Sequence, residues 1–268
     1  MQLSASRVLL TGATGGMGRA IVAALCARGA QVLVVGRQDK ALQALVERNP
    51  SQVSCLQADL RQPADRASVL RQAQQMGDIN LLINAAGINH FGLFENMQEQ
   101  AINDLIETNL TATLQLTHAM LPLLRSQPQS CVVNIGSTFG SIGYPGFSVY
   151  CATKFALRGF SEALRRELAD TNVGVLYLAP RATRTEMNNA AVEAMNAELQ
   201  VSMDSPELVA ERLVQALDAD LREVHLGFPE RLFVRLNGIL PRLVDKALRR
   251  QLPTIQHYAT PSTHTREH

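Results

Sequence analysis

Two rhythms alternate along the chain. Short apolar runs occur at residues 7–11, 31–35, 53–57, 79–83, 131–135 and 173–178, each followed by a small or polar residue. Runs of that length, too short for several helical turns, read as strands buried on both faces of a parallel sheet. Between them, residues 19–29, 39–49, 63–76, 98–126 and the stretch after Tyr150 carry apolar side chains at three- and four-residue spacing, which predicts helices. Glu223-Val-His-Leu-Gly-Phe228 reads as a last strand. Strand–helix alternation of this kind predicts an α/β fold, a doubly wound parallel sheet with its ligand at the strands' carboxyl ends.

The carboxyl-terminal part has a different pattern. Ser205-Pro206-Glu207 reads as a helix cap with proline at the first helical position. From 231 to 252, Leu232, Leu236, Ile239, Leu243 and Leu248 belong to a helical stripe, beside Arg231, Arg235, Arg242, Lys246, Arg249 and Arg250, and Pro241 is expected to break or kink it. Two readings stay open. A basic amphipathic helix can lie peripherally on an anionic membrane surface; alternatively, the helix packs on the protein's own pocket or a subunit interface. Residues 253–268 read as a loose polar tail. The expected division is 1–228 for the catalytic part and 229–268 for a helical extension.

Composition narrows the class. The chain has 268 residues, 46% of them hydrophobic, enough for one large core. Its net charge of +1 gives no overall attraction to nucleic acid. Four cysteines without C-x-x-C spacing suit a reducing compartment, and the amino terminus shows no signal-peptide layout, so a cytoplasmic location is expected. Six scattered histidines predict no metal site.

Three segments carry candidate chemistry. Thr11-Gly-Ala-Thr-Gly-Gly-Met-Gly18 joins the first strand to the first helix, where glycines let the backbone approach a pyrophosphate and the helix N-terminus stabilises it. Its spacing is G-x-x-x-G-x-G, on Gly12, Gly16 and Gly18. At the end of the second strand Gly36 stands where an NAD site typically has an acid, and Arg37 follows, which favours a 2′-phosphate and hence NADP(H), with NAD(H) the alternative. Finally, Tyr150 and Lys154 lie one helical turn apart, downstream of Ser137 in a glycine-rich loop. An ammonium beside a phenol is expected to draw the phenol's pKa down, making an acid–base device.

In this order the segments resemble the short-chain dehydrogenase/reductase family over roughly residues 5–228. The resemblance implies a Rossmann-type sheet flanked by helices on both faces, a single domain with the helical extension appended. It implies cofactor contacts from Thr11, Gly12, Thr14, Gly16, Met17 and Gly18, from Asp59 and Leu60 near the adenine, from Asn84, Ala85 and Gly87, and from Pro180, Thr183 and Thr185 near the nicotinamide. It also implies a catalytic tetrad of Asn109, Ser137, Tyr150 and Lys154. Tyr150 would be the proton donor, Ser137 would hold the substrate oxygen, Lys154 the cofactor ribose, and Asn109 a water. Two positions depart from the family's pattern: Arg181 stands where glycine commonly follows the proline, and Gly15 replaces a basic residue common in NADP-preferring members.

Several consequences follow from the resemblance. The reaction would be hydride transfer between NADP(H) and a carbonyl or alcohol. Alternatives are a 3-oxoacyl-thioester reductase, acting on acyl carrier protein or CoA esters, and a non-catalytic NADP-sensing or scaffold protein. Phe139, Ile142, Tyr144, Phe147, His90, Phe91 and Phe94 are candidate pocket walls, suited to a lipophilic small molecule unless they pack their own loops. Residues 186–204 would form a mobile lid. A homodimer or homotetramer is implied by resemblance alone.

Overall fold

In a computed structural model, residues 1–77 and 79–260 are described. Seven strands, β1 (Arg7–Thr11), β2 (Gln31–Gly36), β3 (Val53–Gln57), β4 (Ile79–Asn84), β5 (Ser130–Ile135), β6 (Val173–Ala179) and β7 (Glu223–His225), form one sheet in the order β3-β2-β1-β4-β5-β6-β7. Every neighbouring pair is parallel. Strand order reverses between β1 and β4, and that switch point opens the crevice into which the carboxyl ends of both strands lead.

The central strands are apolar over most of their length because both faces are covered, whereas the edge strands β3 and β7 carry Ser54, Gln57, Glu223 and His225. Val8 and Leu10 belong to one core with Ile21, Leu25, Leu42 and Leu213, from α1 (Gly16–Ala27), α2 (Asp39–Arg48) and α8 (Pro206–Asp218). Leu9, between them, belongs to a second core with Val69, Leu116, Met120 and Leu164, from α3 (Pro63–Met76), α5 (Ala112–Arg125) and α6 (Ser148–Glu167). Successive strand side chains alternate between the two faces, so a continuous apolar run supplies both cores.

Three sequence expectations change. The helix over 98–126 is α4 (Glu99–Ile106) and α5 joined by a π-helical segment, Glu107–Thr111, with Asn109 buried inside it. The last strand stops at His225, because the chain turns at Gly227, whose φ is +87°. Residues 253–259 are no loose tail. Pro241 ends α9 (Glu230–Ile239) and starts α10, which runs on to Ala259. Ile255 is fully buried in a third apolar cluster with Phe147, Val192 and Met195, and this packing overrides the polar sequence and Pro253. The remainder of the expected tail, 261–268, lies outside the described residues.

Candidate active site

The glycine-rich turn after β1 is built for close approach. Gly12 has φ +69°, and a Cβ there would lie 2.6 Å from the Ala85–Ala86 backbone. A Cβ on Gly18 would meet the Gly12 carbonyl oxygen at 2.1 Å. Thr11 fixes this junction from below: its hydroxyl accepts hydrogen bonds from the Ala85 and Ala86 amides at 3.1 and 3.2 Å. The first turn of α1 has neither a side-chain cap nor an acidic residue. Its amides therefore remain available to an anion. A cleft of about 640 Å³ runs from this turn, past Thr14, Gly16 and Met17, to Arg37, Asp59 and Leu60 on one side and Asn84, Ala85 and Gly87 on the other. Bare backbone, a positive helix end and an elongated cleft fit a dinucleotide.

Within the cleft the expected cofactor residues differ in what else they hold. The exposed side chain of Arg37 stands at the rim. Asp59 is engaged: Arg61 donates to its carboxylate at 2.7 and 3.1 Å and also reaches Asp104 at 3.1 Å. Those hydrogen bonds hold the Asp59 carboxyl below its usual range, with a weaker pull from Arg37. The Leu60 carbonyl accepts from Arg66. The Asn84 side chain is buried and donates to Thr117 at 3.0 Å and Asn134 at 2.8 Å, so it braces β4 against β5.

Asn109, Ser137, Tyr150 and Lys154 converge at the switch point. The π-helical segment presents Asn109 to the loop after β4. Its amide accepts from the Ile88 N–H at 2.8 Å and donates to the Ile88 carbonyl at 2.9 Å and the Thr153 hydroxyl at 3.3 Å. Ser137 follows β5 and accepts from the Phe139 amide at 3.1 Å. Beneath it the buried Tyr177 hydroxyl lies 3.4 Å from both the amide nitrogen and the carbonyl oxygen of Ser137. A Cβ at Gly136 would fall 2.2 Å from that hydroxyl, so glycine there makes room for the phenol. Tyr150 sits in the first turn of α6, and the Lys154 Nζ lies over its ring, 5.7 Å from the centroid.

The electrostatics run against expectation. Burial pushes the Tyr150 phenol up to about 12, only partly opposed by a hydrogen bond with Ser137. Burial also pulls the Lys154 ammonium down to about 8. Desolvation disfavours the charged form of each group. The ammonium donates to the Ile135 carbonyl at 3.0 Å and meets the face of the phenol ring.

Ser137 and Tyr150 open onto a second cavity of about 320 Å³. It shares Met17, Asn89, Thr185 and Met187 with the dinucleotide cleft, so the two chambers meet there. Phe139, Ile142, Tyr144 and Phe147 line it as expected. The other three candidate walls do not: His90 and Phe94 are exposed, and Phe91 packs against Phe147 with centroids 4.9 Å apart. Residues 186–204 cover the cavity with Met187, Val192 and Met195, the last two on α7 (Ala190–Glu198). The remaining wall comes from Phe233, Val244, Leu248 and Gln251 of the extension. Gln251 accepts from the Tyr144 hydroxyl at 3.0 Å, and Thr254 and Tyr258 both donate to Glu198 on α7 at 3.0 Å. The extension's helical stripe was the sequence signal for this wall, but the stripe does not say what it packs against.

A family model described as short chain dehydrogenase matches residues 6–196. The chain belongs to this family. It is therefore an NAD(P)-dependent oxidoreductase with a small-molecule substrate. The dehydrogenase is 34% identical over 191 residues to the 3-oxoacyl-[acyl-carrier-protein] reductase FabG of Escherichia coli K12, covering 71% of this chain and 78% of that one. The Haemophilus influenzae reductase of the same name is 29% identical over 231 residues, 86% of this chain and 96% of that one. Among solved structures, a short-chain dehydrogenase from Streptomyces avermitilis superposes with a TM-score of 0.79 at 30% identity, covering 92% and 97% of the two chains. A serine dehydrogenase in its closed form with NADP+ gives 0.75 at 30% identity, covering 82% and 94%.

The dehydrogenase puts its departure from the family's pattern to use. Arg181, itself among the residues lining the cavity, donates to Asp204 Oδ1 at 2.7 and 2.9 Å, at the end of the covering segment, and to Glu230 at 3.4 Å, at the start of α9. Those partners push the guanidinium pKa up. A Cβ on Gly227 would come within 2.6 Å of both Arg181 and Glu230, so glycine there lets the cluster close. Pro180 and Thr183 line the substrate cavity, and Thr185 lines both chambers.

Proposed function

We propose that this dehydrogenase is an NADP(H)-dependent carbonyl reductase or alcohol dehydrogenase acting on an apolar small molecule, with Tyr150 as the proton donor. One observation carries the reading: Ser137 and Tyr150 line a mainly apolar cavity that meets a dinucleotide-shaped cleft at Met17, Asn89, Thr185 and Met187. When bound, the nicotinamide supplies hydride for reduction and accepts it in oxidation. The turn from Thr11 to Gly18 binds the pyrophosphate, and Arg37, exposed at the cleft rim, takes a 2′-phosphate. Lys154 holds ribose hydroxyls, and Asn109 fixes the loop on which they rest. With its pKa up at about 12, the Tyr150 phenol keeps its proton at neutral pH, the form a reduction needs. Ser137 donates to the same substrate oxygen and stabilises its developing charge.

The likeness to the 3-oxoacyl-[acyl-carrier-protein] reductases favours a second reading, reduction of a 3-oxoacyl thioester. A sensor or scaffold has no use for Ser137, Tyr150 and Lys154 gathered at one junction. Mixing the protein with NADPH or NADH and a panel of aldehydes, ketones and 3-oxoacyl thioesters separates the readings. The expected result is NADPH oxidation with apolar carbonyl compounds, lost by at least about a hundredfold in Tyr150→Phe while NADPH binding persists. Unchanged turnover in that variant overturns the role of Tyr150, and no turnover with any substrate supports the sensor. The four free cysteines support a cytoplasmic location, and exposed Ile106 and Phe155 on α4 and α6 support a homodimer or homotetramer through that face.

A further inference from the structure

The inner side of the α9–α10 hairpin is committed to the protein. Val244 is buried, Phe233 and Leu248 line the substrate cavity, and Asn237 donates to the Ser141 carbonyl at 2.9 Å. Its outer side and tip are not. Phe228 is 78% exposed and Ile239 77%, and Leu232, Leu240 and Leu243 are about half exposed. These large apolar side chains all fall between residues 228 and 243, a concentration that marks an interaction site more than scattered surface leucines do.

Charge identifies the occupant. Residues 228–250 carry six cations, Arg231, Arg235, Arg242, Lys246, Arg249 and Arg250, against two acids, Glu230 and Asp245. Glu230 is already held by Arg181. The whole chain has a formal charge of +1, so everything outside this hairpin is net acidic. A second copy seated on the same surface would bring like charges face to face. Exposed bulky apolar groups among arginines and a lysine match an anionic lipid surface, where the apolar groups enter the acyl boundary and the cations meet headgroups.

We infer that the α9–α10 hairpin docks this dehydrogenase on anionic membrane surfaces, so that the wall of its substrate cavity rests on the lipid. The surface that meets the bilayer is the outer side of the hairpin that lines the cavity, giving an apolar substrate dissolved in lipid a short path to Tyr150. This purpose rests on the apolar-substrate reading; the docking itself does not.

The test is co-sedimentation of the full chain with vesicles of phosphatidylcholine alone or of phosphatidylcholine with phosphatidylglycerol, at low and high salt. Binding is expected to the anionic vesicles only, and to weaken with salt. Arg235→Ala with Arg242→Ala is expected to lower the partition coefficient about thirtyfold, from two cations lost near the surface. Ile239→Asp with Leu240→Asp is expected to abolish binding, with an unchanged far-ultraviolet circular dichroism spectrum showing that the variant is folded. Absence of binding, or equal binding to neutral vesicles, overturns the inference. So does a dimer that the Ile239→Asp, Leu240→Asp variant dissociates in light scattering, because a second copy then covers the patch. Partitioning is read without turnover, so a failed substrate panel leaves this result standing on its own.

Discussion

Replacing Arg181 tests whether the lid and the extension are locked through one side chain. Its guanidinium makes two hydrogen bonds to a single Asp204 oxygen, at 2.7 and 2.9 Å, and the Asp204 side chain is only 4% exposed. Arg181→Ala leaves that carboxylate buried without its cation. Breaking a fully buried pair costs about 3–5 kcal/mol. Solvent still reaches part of the arginine, 19% of its side chain, so the expected loss is about 2–3 kcal/mol. For a chain of this size that lowers Tm by roughly 5–10 °C. The chain has no tryptophan, so unfolding is followed by far-ultraviolet circular dichroism. Asp204→Ala and the double variant complete a cycle, in which the coupling is expected to exceed about 1 kcal/mol. KM for the carbonyl substrate should rise as the lid loosens, with the NADPH dissociation constant little changed. A stability change within about 0.5 kcal/mol, or additive single variants, would refute the lock.

The other predictions concern the site. Lys154 is held at about 8, below its unfolded value of 10.5, so the unfolded chain binds more protons between those values and stability rises with pH across that window. Relative to Lys154→Met, the wild type should gain up to about 3 kcal/mol between pH 8 and 10.5, measured by denaturant unfolding; a flat difference contradicts the burial argument. Tyr150 works the other way above pH 10, where the unfolded phenol ionises first and stability falls. Arg37→Ala should weaken NADPH binding by about ten- to a hundredfold and leave NADH nearly untouched, checked by fluorescence titration. Equal effects on both coenzymes would remove the 2′-phosphate from its role.

What the sequence discloses depends on how far a residue's partners lie. The strands at 7–11, 31–35 and 79–83 are legible because a strand covered on both faces is apolar over most of its length, broken here only by Arg7, Thr11, Gln31 and Asn80. Ser205 is legible as a cap because its partner, the Leu208 amide at 3.2 Å, is three residues on. The π-helical segment is not legible, since one extra residue in the turn leaves the apolar spacing around Asn109 almost unchanged. Nor is the occupation of Asp59 by Arg61 and of Asn84 by Asn134 and Thr117, for a motif gives a residue's identity and not its competitors. The reversed shift at Tyr150 has the same origin. Spacing puts the ammonium near the phenol, but only the packed site shows that Lys154 is buried and Tyr150 half-buried. Pro253 and polar neighbours conceal the end of α10, which takes its order from Glu198 across the lid.

At the junction of the two chambers a Cβ on Gly16 would press on Thr185 at 2.9 Å, and Arg19 on α1 pairs with Glu186 at the start of the lid. The two chambers thus meet through a gap lined by Met17 on α1 and by Asn89, Thr185 and Met187. A single inhibitor that joins a nicotinamide mimic to an apolar tail through this gap would occupy both halves at once, and its affinity would reflect the linkage of two weak ligands.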